Sequence, residues 1–178
     1  MVKLFSTQMY SDTYMTSVSK KTMLKALQDT EFPKNTGRTN ILKGNQTYSH
    51  SMALGKMKVL FKPKGTFAPS RHNKKHADLL KMAKRFLKQH DPSYRFHTVT
   101  INKNHAAAKH VDQSNKGHSW IIGLGNYTGG ELVFTDKSSP YYGTHNIKNK
   151  WFKFVGDTEH YVKPFKGERY TLVYYNWK

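Results

Sequence analysis

The C-terminal half of this chain is a succession of short β-forming segments, with no helical pattern between them. β-branched and aromatic residues dominate these segments, and glycine-containing turns separate several of them. Strands that recur every roughly 8–12 residues are typical of an antiparallel barrel or sandwich. We therefore expect a mainly β fold whose helices lie outside the sheets. From residue 96 onward the segments are FHTVTIN, SWIIGLG, GELVFTD, WFKFVG, HYVKPF and RYTLVYYNW.

Two helical patterns precede these strands. The first covers residues 17–29, with Ser17 or Ser19 as its cap. The second covers residues 73–90, with Asn73 as its cap. Apolar residues recur at helical spacing in both patterns, so we expect both helices to back the larger sheet.

The remaining organisation follows from length and local composition. A chain of 178 residues fits one domain, in which residues 1–95 form helical and loop support and residues 96–178 form the β core. A short strand is predicted at residues 56–63. The polar stretch 136–146 contains two tyrosines and is a candidate lid over an active site.

Cysteine is absent from the sequence. This excludes disulfides, zinc ribbons, iron–sulfur clusters and a thiol nucleophile. A metal site in this chain must therefore use His, Asp or Glu, and ten histidines are present.

The chain is strongly basic, with 30 Lys and Arg against 11 Asp and Glu and a formal net charge of +19. Such a balance favours a polyanionic partner, with nucleic acid, DNA above all, ahead of an anionic membrane. No signal peptide is recognised at the start of the sequence and no segment is long enough to span a membrane, so we expect an intracellular protein of the cytoplasm or nucleus. No obligate protein partner is inferred.

His110-Val111-Asp112 is the motif that points to chemistry. In a strand, residues two apart face the same side, so His110 and Asp112 can reach one ion. A further histidine, His160, opens a later strand segment. Two imidazoles and one carboxylate leave open positions on a metal, as in non-haem Fe(II) oxygenases. The alternative is a surface histidine beside an unrelated aspartate.

Arg169 and Thr171 lie on one face of the last strand segment. A guanidinium that points into a barrel needs a carboxylate, because an unpaired buried charge is costly. The distal carboxylate of 2-oxoglutarate meets that need by a two-point contact, with the Thr171 hydroxyl as a further donor. The alternative is a buried ion pair with Glu131 or Asp157.

Four separated elements carry a family resemblance, in the order H-V-D, GLGNYTGGEL, H-x-V-x-P and G-x-R-Y-T-L-V-Y-Y. They resemble the Fe(II) and 2-oxoglutarate dependent dioxygenases, whose core is a double-stranded β-helix of the jelly-roll, cupin-like type. More narrowly, INKNHAAAKHVDQSNKGHSWIIGLGNYTGGELVF resembles the TET and base-J thymine hydroxylase branch (TET/JBP). The resemblance covers residues 96–178.

The resemblance implies that Fe(II), 2-oxoglutarate and O2 are the cofactor and cosubstrates. His110, Asp112 and His160 would hold the iron, and Arg169 with Thr171 would hold 2-oxoglutarate. Asn102 and Asn104 are further candidates for cosubstrate contact, with strand-end turn residues as the alternative interpretation. Candidate substrate contacts are Asn115 and Ser119, and candidates for stacking on a flipped base are Tyr127, Tyr141, Tyr142 and Trp120. The histidines not expected to be ligands are His97, His105, His118 and His145.

Three functions are compatible with these residues. The first is hydroxylation of the methyl group of a nucleic-acid base, 5-methylcytosine or thymine in DNA, after extrusion of the base from the duplex. The second is hydroxylation of a protein, of the prolyl or lysyl type, because fold and cofactor do not choose the substrate. The third is a nucleic-acid-binding module on an inactive oxygenase scaffold.

Overall fold

Most strands of the protein join one seven-stranded antiparallel sheet, and three more form a smaller sheet. The computed structural model describes residues 17–178. In chain order the elements are α1 (Lys20–Gln28), β1 (Lys34–Asn35), β2 (Ser49–Lys58), β3 (Phe67–Pro69), α2 (Ala77–His90), β4 (Thr98–Lys103), β5 (Asn115–Gly129), β6 (Leu132–Phe134), β7 (Gly143–His145), β8 (Phe152–Val155), β9 (His160–Val162) and β10 (Phe165–Trp177).

The large sheet is built around its two longest strands. Its order is β1-β2-β4-β10-β5-β8, and β3 pairs with β2. β5 and β10 pair from Gly129 and Phe165 at one end to Asn115 and Trp177 at the other. The small sheet has the order β7-β6-β9. This mainly β architecture with outer helices confirms the predicted fold class.

Both predicted helices form and cover one face of the large sheet. Ser19 caps α1 by accepting the N–H of Thr22, as one of the two predicted caps. Gln89 exchanges two hydrogen bonds with the backbone of Val18, which ties the start of α1 to the end of α2. The apolar faces of the two helices and of the sheet form one core. Its fully buried members include Met23, Leu27, Leu54, Ala83, Val99, Ile101, Ile122 and Leu172.

The N-terminal half departs from the sequence prediction in two places. The strand predicted at residues 56–63 is β2, which begins at Ser49 and ends at Lys58. Phe61 lies fully exposed in the turn after it. Asn73 does not cap α2, which starts at Ala77; its side chain instead exchanges two hydrogen bonds with the backbone of Gly55.

The proposed division of the chain at residue 95 does not separate the sheet from its support. β2 precedes that point, yet it is an inner strand that pairs with β4 over six residues. The core of the large sheet therefore draws on both halves of the chain.

A second core fills the space between the two sheets. Ile121 of β5 and Phe154 of β8 pack with Phe134 of β6 and Val162 of β9. The stretch 136–146, expected to be a loop, contains β7, which pairs with β6. Its Tyr141 packs on Phe134, and this contact anchors the stretch to the small sheet.

No helix within residues 17–178 has the length and apolar character needed to cross a membrane. The interpretation of the first fifteen residues as lacking a signal peptide falls outside the described part of the chain.

Candidate metal centre

His110 and His160 are brought together by the backbone. Each donates its N–H to the carbonyl of the other at 3.0 Å, which forms an isolated antiparallel bridge. Their ring centroids lie 4.4 Å apart at an angle of 58°. Two histidines separated by fifty positions in sequence thus become neighbours, as the iron-site prediction requires.

Asp112 lies between the two rings. Its carboxylate oxygens are 3.6 Å from Nε2 of His110 and 3.7 Å from Nε2 of His160. One ligand atom from each of the three residues falls within 4.8 Å of the others. The Asp112 N–H donates to the carbonyl of Gly156 at 2.7 Å, which fixes the aspartate beside β8.

The hydrogen bonds of both histidines select the ligand nitrogen. Nδ1 of His110 lies 2.7 Å from the carbonyl of Ala108, and Nδ1 of His160 lies 2.7 Å from that of Thr158. A carbonyl oxygen can only accept, so Nδ1 carries the proton in each ring. Nε2 is then left with a free lone pair, which is the form that binds a metal.

The electrostatics of the cluster favour a cation. Burial lowers the pKa of His110, and the Asp112 carboxylate opposes that effect. Because His110 is held neutral, Asp112 supplies the negative charge of the ligand set. Arg38 Nη2 stands 3.8 Å from Asp112 Oδ1 at the edge of the site. Arg38 comes from a stretch that reads as a loop, and its place beside Asp112 has no signal in the sequence.

A cavity of about 480 Å³ opens beside the three ligand residues. Arg169, Thr171 and Val173 of β10 all line it, as their shared strand face predicts. The apolar part of the wall excludes water from the ligand atoms. That part includes Ile41, Ile121, Leu132, Phe154 and Val162.

Arg169 is a buried cation without a carboxylate partner. It is 1% exposed, and its Nη1 and Nη2 donate to the carbonyls of His105 and Gly130, each at 3.0 Å. Within residues 17–178 it forms no ion pair, so neither Glu131 nor Asp157 pairs with it. Burial lowers the pKa of Arg169, and Tyr127 and Glu131 oppose that effect only in part.

The structure places the two candidate asparagines differently. Asn102 lines the cavity, and its Nδ2 donates to Thr171 Oγ1 at 3.0 Å. Thr171 is an acceptor in that bond, so its hydroxyl proton remains to be donated into the cavity. Asn104 follows the end of β4 with φ of +49° and is not part of the cavity lining. Its Oδ1 accepts the backbone N–H of Arg169 at 2.8 Å, a contact of the strand-end kind.

The cavity wall fits an anionic cosubstrate with two carboxylates. Buried polar atoms of the described residues without a hydrogen-bond partner include Arg169 Nε, Asn102 Oδ1 and His105 Nε2. Buried polar atoms are rarely left unpaired, because the loss of hydration costs about 1–3 kcal/mol each. A dicarboxylate that spans from the ligand cluster to Arg169 would supply both the missing charge and hydrogen-bonding partners.

Of the candidate substrate residues, the structure brings only Asn115 to the cavity lining. Ser119 is buried on β5, and Tyr127 is buried beneath Arg169, with its ring 5.4 Å from the guanidinium carbon. Tyr141 packs on the small sheet, whereas Tyr142 is exposed away from the cavity.

Trp120 faces the helices, so it is not placed to stack on a base in the cavity. Its Nε1 donates to Asp91, and its ring packs on His90 and Trp151. Among the described residues, His97, His105, His118 and His145 join no metal-binding cluster. His105 nevertheless lines the cavity and holds Arg169 through its carbonyl, a contact for which the sequence gives no signal.

Two solved structures are similar to this fold. NgTET1, solved in complex with 5-methylcytosine DNA, is 15% identical, with a TM-score of 0.50; the match covers 72% of this chain and 61% of that one. A 2-oxoglutarate–Fe(II) oxygenase family oxidoreductase from Burkholderia pseudomallei is 19% identical, with a TM-score of 0.53, over 86% of this chain and 76% of that one. No protein-family model and no curated protein matches the sequence. The chain therefore has the double-stranded β-helix fold that its motifs predicted, in common with a 2-oxoglutarate–Fe(II) oxygenase.

Proposed function

We propose that this protein is an Fe(II) and 2-oxoglutarate dependent dioxygenase that hydroxylates the methyl group of a nucleic-acid base, 5-methylcytosine or thymine in DNA. One observation carries the proposal. His110, Asp112 and His160 offer three ligand atoms to one point at the edge of a cavity, and that cavity holds an unpaired buried arginine.

The donor set fits Fe(II), because two neutral imidazoles and one carboxylate leave positions open for cosubstrate and oxygen. Bound iron would supply the oxidising chemistry that converts a C–H bond into an alcohol while 2-oxoglutarate is consumed. The protein's part is binding and orientation. The Nδ1 hydrogen bonds of His110 and His160 hold both rings with Nε2 toward the ion.

The cosubstrate would be oriented from its far end. Arg169 provides a fixed positive charge on the wall, and Thr171 provides a hydroxyl proton beside it. Arginine suits this task, because its planar donors match a carboxylate. The two carbonyls that hold the guanidinium keep it in place before the cosubstrate arrives, which lowers the ordering cost of binding.

The DNA substrate is supported by charge and by likeness. A net charge of +19 favours a polyanionic partner, and one of the similar structures was solved with 5-methylcytosine DNA. The methyl group of a base is out of reach in a duplex unless the base is extruded. A cavity of about 480 Å³ has the volume typical of small-ligand sites.

The test is release of succinate from 2-oxoglutarate by the protein loaded with Fe(II). We expect DNA that contains 5-methylcytosine or thymine to stimulate release, with a hydroxymethylated nucleoside detected by mass spectrometry. Asp112→Ala should abolish both signals, whereas Asp157→Asn, an exposed carboxylate nearby, should retain them. Stimulation by proline- or lysine-containing peptides and not by DNA would identify a protein hydroxylase. No succinate under any condition would leave a binding module and overturn the proposal.

A further inference from the structure

A second cavity, of about 660 Å³, lies on the surface next to the metal cavity. It is open and basic, and we call it the basic groove. Its cationic residues come from four separate segments of the chain, and no Asp or Glu lines it. The basic residues are Lys64, Arg95, Lys116, Lys153 and Lys178, and two histidines, His97 and His118, join them.

The charge of the groove is uncompensated. None of its five Lys and Arg side chains forms an ion pair with a carboxylate of residues 17–178, and Lys64, Lys116 and Lys178 are fully exposed. His97 senses the same field, since its pKa is lowered by burial and then by Lys56 and Lys116. Clustered like charges destabilise a folded protein, so such a surface indicates an anionic partner.

Aromatic rings alternate with these cations. Phe67, Tyr94 and Trp177 line the groove, and such rings are the platforms on which the bases of a single strand stack. Trp177 is held firmly, because its Nε1 donates to Thr98 Oγ1 at 2.8 Å and to the Lys56 carbonyl at 3.2 Å. An acidic peptide would need the cations and not the rings.

Trp177 also connects the groove to the metal centre. It lines both cavities, at the end of β10 that pairs with Asn115 of β5. Asn115 lines the metal cavity, whereas the next residue, Lys116, lines the groove. A polymer seated in the groove is therefore one residue away from the wall of the metal cavity.

We propose that the basic groove binds the sugar–phosphate backbone of one nucleic-acid strand and delivers a base from that strand past Trp177 into the metal cavity. The delivery rests on the proposed function. Binding in the groove does not, because charge and aromatic stacking operate without iron or cosubstrate. The groove names the path of the strand and assigns it to residues far from the metal motif.

The experiment measures DNA binding by the metal-free protein, with fluorescence anisotropy of a labelled single-stranded oligonucleotide across a salt series. The groove variant is Lys64→Gln/Lys116→Gln/Lys178→Gln. The control variant, Lys21→Gln/Lys84→Gln/Lys88→Gln, removes the same charge from exposed positions of α1 and α2. The groove variant should lose about tenfold or more in affinity, and its log–log salt slope should fall by roughly 2, at about 0.7 per lost contact on a single strand. The control variant should stay within about twofold.

Equal losses in both variants would show that the charge acts diffusely and would overturn the proposal. Tighter binding of a labelled poly-glutamate, lost in the groove variant, would assign the groove to an acidic peptide instead. Circular dichroism reports whether the variants fold, and Lys116→Gln alone serves if the triple variant does not. Because binding is read without turnover, an inactive but DNA-binding protein would contradict the proposed function and leave the groove intact.

Photo-crosslinking locates the strand. An oligonucleotide with a single 5-iodouracil should crosslink to Trp177 or Tyr94, as identified by peptide mass spectrometry. Trp151, which packs against α2 on the other side of the sheet, is the internal control. Crosslinks confined to residues outside the groove would place the strand elsewhere.

Discussion

Asn104 and Arg169 are joined by two hydrogen bonds. The Asn104 N–H donates to the Arg169 carbonyl at 2.7 Å, and Asn104 Oδ1 accepts the Arg169 N–H at 2.8 Å. Asn104 achieves this in a left-handed conformation, with φ of +49°, which asparagine tolerates better than most residues. The pair fixes where β10 presents the guanidinium that faces the cavity.

Replacing Asn104 should therefore loosen Arg169 without touching the metal ligands. Asn104→Gly removes the acceptor and suits the backbone, so we expect a loss of about 1 kcal/mol in stability. Asn104→Ala should cost about 1–2 kcal/mol more, because alanine is strained at positive φ. Both should raise the KM for 2-oxoglutarate severalfold, while kcat at saturation is retained. Thermal melts and cosubstrate titrations measure this, and an unchanged KM in both variants would contradict it.

The metal ligands are tested by binding as well as by turnover. Mn(II) is a redox-stable probe for a site of nitrogen and oxygen ligands, and at 100 times its Kd it should stabilise the fold by about 2.7 kcal/mol. Asp112→Asn should lose this stabilisation, since it removes the negative charge between the two imidazoles. Asp157→Asn should retain it. A normal Mn(II) response in Asp112→Asn would remove the aspartate from the ligand set.

Arg169 should separate the cosubstrate from the metal. Arg169→Gln removes the charge, and we expect affinity for 2-oxoglutarate to fall by about tenfold or more while Mn(II) affinity stays within about twofold. Arg169→Lys keeps the charge but not the two-point geometry, so it should lie between wild type and Gln. Isothermal titration of both ligands gives the comparison. Parallel losses of metal and 2-oxoglutarate would mean that Arg169 supports the barrel itself.

The sequence allowed the metal site to be predicted because its signals are local. The spacing of His110 and Asp112, the two-residue period of β10 and the helical spacing in α2 each lie within one segment. β2 was only partly predicted, because its apolar face is visible mainly in Met52 and Leu54, among serines and lysines. β7 has the sequence GTH, which carries no period at all, and forms only because β6 lies beside it.

The substrate residues were predicted less well for a related reason. An aromatic residue in a strand can face either side of a sheet, and its ring chemistry does not say which side holds the ligand. Trp120 faces the helices and Tyr127 lies beneath Arg169, although both looked suitable for stacking. Trp177, which lines both cavities, was read as the end of a strand. Its position follows from the pairing of β10 with β5, which is a tertiary property.

His105 should make the protein sensitive to acid. Burial, with the nearby charge of Arg38, lowers its pKa from 6.5 to about 4. The unfolded chain therefore binds a proton at His105 below pH 6.5, while the folded protein does not until about pH 4. Stability should fall across that window by about 1.4 kcal/mol per pH unit from this residue. Urea unfolding of wild type and His105→Gln between pH 7 and 5 isolates the effect, because the other histidines are common to both. Curves of equal slope would contradict it.

Gly156 should be required at its position because of Asp112. A Cβ added at Gly156 would lie 2.9 Å from the Cβ of Asp112 and 3.3 Å from its Oδ2, so the carboxylate would have to shift. We expect Gly156→Ala to cost about 1–3 kcal/mol as overpacking, and to weaken Mn(II) binding by about tenfold as the aspartate leaves its place between His110 and His160. Gly37→Ala is the matched control, because its new Cβ would meet only Asn35 Oδ1, at an ordinary 3.5 Å. Mn(II) titration with thermal melts measures both effects. If Gly156→Ala lowered stability but left Mn(II) affinity unchanged, the carboxylate of Asp112 would not be a ligand.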